Sequence, residues 1–114
     1  TVVKINPEKI GSLIGPGCLT AGARIGPQSV LGAHCSVGSG AVVDRSVLHD
    51  RVQVGADCEI RSAVLAERVR VGDGARVEAG AMVGEGARIA PGAVVAADAR
   101  IDPDTAVEAG EALA

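Results

Sequence analysis

The chain has no phenylalanine, tyrosine or tryptophan, although 47% of its 114 residues are hydrophobic. A compact core of this size ordinarily uses aromatics, because they bury the most area per side chain. Their absence points to an interior too narrow to hold a ring. No apolar run approaches the ~18 residues of a transmembrane helix, and no charged-then-apolar signal segment opens the sequence. Neither sign of charge dominates. There are 11 basic and 14 acidic residues, a net charge of −3, spread along the chain. That balance argues against nucleic acid or an anionic membrane as partner. Cysteine is limited to three residues without paired spacing, so the expected setting is a reducing cytoplasm.

What is abundant is glycine, 16 residues, and a strictly periodic set of branched aliphatics. From Leu65, steps of six meet Val71, Val77, Val83, Ile89, Val95, Ile101, Val107 and Leu113. Backwards, with one step of five at intervals, the series runs Ile60, Val54, Leu48, Val43, Val37, Leu31, Ile25, Leu19 and Ile14. All eighteen positions are Ile, Leu or Val, yet these make up only 30 of the 114 residues, so the register is not a product of composition. An α-helix repeats at 3.6 and a half-buried strand at 2. Six is a short strand plus a corner, and three such sides close a triangular coil. Grouped in threes, the positions form three columns. The first is Ile14, Leu31, Leu48, Leu65, Val83 and Ile101, with spacings of 17 or 18 that keep successive coils in phase. A direct repeat agrees: Val47, Leu48, Arg51, Val52, Val54 and Gly55 return 17 residues later as Val64, Leu65, Arg68, Val69, Val71 and Gly72.

The remaining positions fit the same frame. A glycine often follows the register aliphatic, as at Gly15, Gly26, Gly32, Gly38, Gly55, Gly72 and Gly84, where it is expected to take backbone angles closed to other residues. Four past the aliphatic comes a small inward residue, including Cys18, Ser29, Cys35, Ala41, Cys58 and Ala75. Cys18 and Cys35 fall in one inward column, close enough for a disulfide, but are expected as buried thiols, with Cys58 free and inert. The expected fold is all-β: a single-stranded parallel β-helix of about six triangular coils over 14–114, preceded by a connecting segment and N-terminal cap over 1–13.

The units Ile25-Gly26-Pro27-Gln28-Ser29-Val30 and Val71-Gly72-Asp73-Gly74-Ala75-Arg76 resemble the hexapeptide-transferase repeat. That resemblance implies left-handed coils, whereas the usual preference for right-handed crossovers would predict the opposite. The 17-residue coils, of the form Ser46-Val47-Leu48-His49-Asp50-Arg51-Val52-Gln53-Val54-Gly55, are similar to the C-terminal β-helix of sugar-1-phosphate nucleotidyltransferases, of the mannose-1-phosphate guanylyltransferase and glucose-1-phosphate adenylyltransferase type. The similarity implies a non-catalytic assembly or regulatory domain of an enzyme that makes nucleotide sugars, with GDP-mannose one product of the class. Its partners would be further copies of itself and an N-terminal catalytic domain. The domain would carry no cofactor of its own, the Mg2+ of the reaction belonging to the catalytic domain. The sequence departs from the whole enzyme in having no counterpart of the Gly-rich phosphate loop or metal-binding acids, and it reads as an excised domain.

An alternative within the fold is an acyltransferase that uses acyl-coenzyme A, which needs a histidine general base. The two histidines are the candidates: His49, a corner residue after Leu48, and His34, in another corner beside Cys35. A carbonic anhydrase would need three histidines around one metal and is excluded by the count. Three surface features complete the reading. Val30, Val42, Met82 and Val94 precede register aliphatics, point outward and are candidates for an interface. Asp44, Arg61 and Glu78, and likewise Asp50, Glu67 and Glu85, stack one coil apart and are expected to form solvated ladders. Arg51, Arg68, Arg70 and Arg88 are the candidates for binding an anionic effector.

Overall fold

The computed structural model describes residues 13–20, 22–108 and 112–113. Seventeen short strands, β1 (Leu13–Ile14) to β17 (Ala112–Leu113), follow one another without an intervening helix among the described residues. Every pairing is parallel, and each strand bonds to the strand three along the chain once the first turn is complete. Three sheets result. Sheet A stacks the strands ending at Ile14, Leu31, Leu48, Leu65, Val83 and Ile101. Sheet B stacks those at Ser36–Val37, Gln53–Val54, Arg70–Val71, Arg88–Ile89 and Ala106–Val107, and sheet C those from Arg24–Ile25 to Ala112–Leu113. The chain makes five full turns between Ile14 and Ile101, then two sides of a sixth, in place of six complete coils. Of the connecting segment and cap expected over 1–13, residues 1–12 lie outside the described residues, and Leu13 belongs to β1.

The interior is one continuous column. Leu48, Ile60, Leu65, Val43, Val77 and Val95 are at most 1% exposed, and the slots between them hold Ala41, Cys58, Ala75, Ala81 and Ala87. The slots also accept Val52 and Val69, fully buried where the sheet A strands turn into sheet B. Each coil bonds to the next through backbone N–H groups: Gly32 donates to Leu48 O at 2.7 Å and His49 to Leu65 O at 2.9 Å. Three thiols extend the ladder. Cys18 Sγ donates to Gly32 O (3.0 Å), Cys35 Sγ to His49 O (3.0 Å) and Cys58 Sγ to Gly72 O (2.9 Å). All three cysteines are free, and burial raises the pKa of Cys35 and of Cys58.

Two expectations are corrected. Leu19 is not an inward register residue: it is 70% exposed and forms a parallel bridge with Ser36. Thr20 therefore stands in line with Val37, and the five-residue step runs from Thr20 to Ile25. The glycines that follow register residues are not needed for their backbone angles, since positive φ falls elsewhere. It occurs three residues past the register position, or two past it in a five-residue step, at Gly17, Gly22, Gly40 and Gly74, but also at Gln28, His34, Arg51 and Arg68. Where glycine does follow the register residue, the neighbouring coil is too close for a side chain. A Cβ on Gly15 would lie 2.7 Å from Gly32 O, and one on Gly38 2.6 Å from the Ala56 nitrogen.

Candidate functional site

Three features mark the surface of the prism. The first is the edge where sheet A turns into sheet B. His34 and His49 both lie on it, one coil apart, and both are exposed. His34 adopts φ 60° and donates its backbone N–H to Pro16 O at 2.9 Å. His49 borders a shallow groove of about 410 Å³ whose other lining residues include Val64, Ala66, Met82, Gly84, Arg100 and Asp102. From Arg24 to Val107 every connection between strands is two or four residues long, so neither histidine has a loop of the described chain above it.

The second feature is the outer face of sheet A. Register places Val30, Val47, Val64 and Met82 side by side on successive coils. Val30 is 38% and Met82 49% exposed, and Val47 and Val64 are half-buried. Val42 and Val94, the other two interface candidates, lie on sheet C, where Glu59 and Arg76 separate them in the same row. The four candidates thus belong to two different faces, and only the sheet A pair is joined into an apolar stripe. Val47 and Val64 were not among the candidates. Their signal was present: each immediately precedes a register leucine, as Val30 does, and each falls in the 17-residue repeat.

The third feature is a groove of about 420 Å³ lined by Arg51, Gln53, Arg68, Arg70, Gly86 and Arg88. It brings together all four arginines proposed from the sequence. Arg51 and Arg68 occupy equivalent corner positions one coil apart, each with φ 61°. Arg70 and Arg88 are in direct register on sheet B. Arg68 pairs with Glu85 at 2.7 Å, which raises the arginine pKa further. The other three have no ion-pair partner among the described residues. The two expected charge ladders form only in part. Arg61 turns to Glu59 (3.3 Å) rather than to Asp44 or Glu78, and Asp44 Oδ1 is buried without a hydrogen-bond partner. Asp50 serves the backbone instead, its Oδ1 accepting from Ala33 N at 2.9 Å, as Asp73 Oδ1 does from Ala56 N.

Comparison with known proteins follows the fold. A hexapeptide transferase family protein from Anaplasma phagocytophilum superposes with a TM-score of 0.68 at 19% identity, covering 92% of this chain and 78% of that one. A hexapeptide-repeat-containing acetyltransferase from Vibrio cholerae gives 0.74 at 17% identity, covering 87% and 69%. A perosamine N-acetyltransferase from Caulobacter crescentus, solved with CoA and GDP-perosamine, gives 0.66 at 23% identity, and this chain spans 51% of its length. At such identities the likeness is one of fold. No curated protein sequence matches the chain significantly. Residues 9–95 match the family model of the EIF2B subunit epsilon LbH domain, most of the chain, and the protein therefore belongs to that family of left-handed β-helix domains.

Proposed function

We propose that the chain is the assembly domain of a sugar-1-phosphate nucleotidyltransferase-like protein, non-catalytic in itself and active through self-association. The observation that carries this reading is the apolar stripe Val30, Val47, Val64 and Met82 on sheet A, on a prism whose other outward rows interleave charged and polar residues. Exposed apolar surface on a rigid flat face is what a homo-oligomer buries. The family match supports the parent class. The parent reaction would transfer a nucleotidyl group to a sugar 1-phosphate and release pyrophosphate. Its Mg2+ would belong to the catalytic domain.

A second reading, acyl transfer from acyl-coenzyme A, draws on His49, which borders the groove beside Met82. Under it the imidazole would act as general base on an acceptor amine or hydroxyl, and removing it would cost roughly 10²–10⁴-fold in turnover. Two measurements separate the readings. Light scattering should show an oligomer that Met82→Glu dissociates and Val94→Glu leaves intact; a monomer at all concentrations removes the assembly reading. Calorimetry should show no saturable acetyl-coenzyme A binding. Saturable binding, together with acetyl transfer that His49→Ala abolishes, replaces the scaffold with the acyltransferase.

A further inference from the structure

We propose that the arginine groove on sheet B is a binding site for a small anion carrying two or more linked phosphoryl groups. The inference stands apart from the assembly reading, which uses a different face. Its basis is an electrostatic arrangement that no other outward strand row has among the described residues. Parallel strands on successive coils lie about 4.8 Å apart, so Arg70 and Arg88, in direct register, hold like charges side by side. Like charges placed opposite one another in a sheet are destabilising. On sheet C the corresponding row is resolved internally: Glu59 is in register with Arg76 and accepts from it at 2.9 Å, while also pairing with Arg61. On sheet B no carboxylate takes that part. Glu85 neutralises Arg68 alone, leaving Arg51, Arg70 and Arg88 without an ion-pair partner among the described residues. This concentration of positive charge occurs on a chain whose net charge is −3.

The shape fits a compact ligand. The cavity of about 420 Å³ is within the range of roughly 300–1,000 Å³ typical of small-molecule sites. Arginine presents a planar fork that meets phosphate oxygens in pairs. Two rungs of such forks, one coil apart, can share adjacent phosphoryl groups joined by a bridging oxygen. Gly86 lines the groove at the corner position that Arg51 and Arg68 fill in the coils before it, and the Asp104 carboxylate stands where its side chain would begin. One coil further, the same corner position is Asp104. The positive row is therefore bounded by a carboxylate, and a long polyanion lying along the prism would be repelled where a diphosphate would not.

The test is titration calorimetry of the chain at low ionic strength with inorganic pyrophosphate, GDP and inorganic phosphate. Pyrophosphate and GDP should saturate at one site per chain and bind more tightly than phosphate; the tighter of the two identifies the free diphosphate or the nucleotide as the better ligand. Arg70→Gln and Arg88→Gln should each weaken pyrophosphate by about ten- to a hundredfold, the loss of one charge-assisted contact. Arg24→Gln, an exposed arginine on sheet C, should leave it unchanged. Arg51→Gly, which keeps a φ that glycine readily adopts, should fold normally and also weaken binding. Absence of saturable pyrophosphate binding, or equal weakening by Arg24→Gln, overturns the proposal.

Discussion

Leu65→Ala and Val64→Ala, adjacent substitutions in the two-residue strand β9 (Val64–Leu65), should differ several-fold in cost. Leu65 is fully buried, with Leu48 and Val83 in register on the coils to either side. Truncation removes three carbons, worth about 2.4 kcal/mol at ~0.8 kcal/mol per buried group. The backbone ladder holds neighbouring coils about 4.8 Å apart, so the walls cannot close on the void. A residual cavity of roughly 60 Å³ adds about 1.4 kcal/mol at ~24 cal/mol per Å³. The expected loss is about 4 kcal/mol, and because each coil covers two others it falls on both of that coil's interfaces. Val64 points outward and is half-buried, so its truncation should cost less than about 1 kcal/mol. Urea unfolding is the assay, followed by far-UV circular dichroism because the chain has no aromatic residue to report by fluorescence. It should be run at a protein concentration where the chain is monomeric, so that an interface effect of Val64 does not enter. Equal shifts in the two midpoints, or a loss below about 1 kcal/mol for Leu65→Ala, would refute the inward and outward assignment and the rigid-wall argument.

Val54→Asp should prevent stable folding, because it places a charge between Val37 and Val71 with no partner, while Arg51→Ala should leave the melting temperature nearly unchanged. Gly38→Ala should destabilise more than Gly74→Ala: the first Cβ meets the Ala56 nitrogen at 2.6 Å, whereas the second has nothing within 4 Å and bears only the strain of its φ of +71°, about 1–2 kcal/mol. Thermal melts rank the two. Stability should fall as pH rises past about 9, because the pKa values of Cys35 and Cys58 are raised from 9.0 in the fold, chiefly by burial. Their protonated-state contribution is complete below the unfolded thiol pKa and is lost as pH rises toward the folded one. Melts of Cys35→Ala/Cys58→Ala across that range should show a flatter alkaline limb, and an unchanged limb would place the effect elsewhere.

The fold was legible because its determinants are local and repeated. The six-residue step sets the length of a side, and the spacing of 17 or 18 keeps the columns in phase, so Leu48, Leu65 and Val83 could be stacked without knowledge of the backbone. The arginine groove followed from the same arithmetic, since Arg51 and Arg68 are one coil apart. The apolar stripe was within reach of the same arithmetic, although only Val30 and Met82 were taken from it: Val47 and Val64 stand between them at the same spacing of 17 or 18, one residue before Leu48 and Leu65.

Sequence alone determined which residues face inward from Ile25 onward, the three-sided section and the stacking order, because alternation along a strand and a coil length of 17 or 18 need no further information. The tertiary structure decided what depends on the next coil. It placed Thr20 rather than Leu19 in the core column, because the bridge from Leu19 to Ser36 fixes the register there. It gave the glycines after register residues their reason, a backbone 17 to 19 residues away at less than contact distance. It also selected Glu59 for Arg76 and Glu85 for Arg68, leaving Arg70 and Arg88 side by side. Flexible charged side chains choose partners by distance across coils, and sequence spacing supplies the row a charge occupies but not the direction in which it turns.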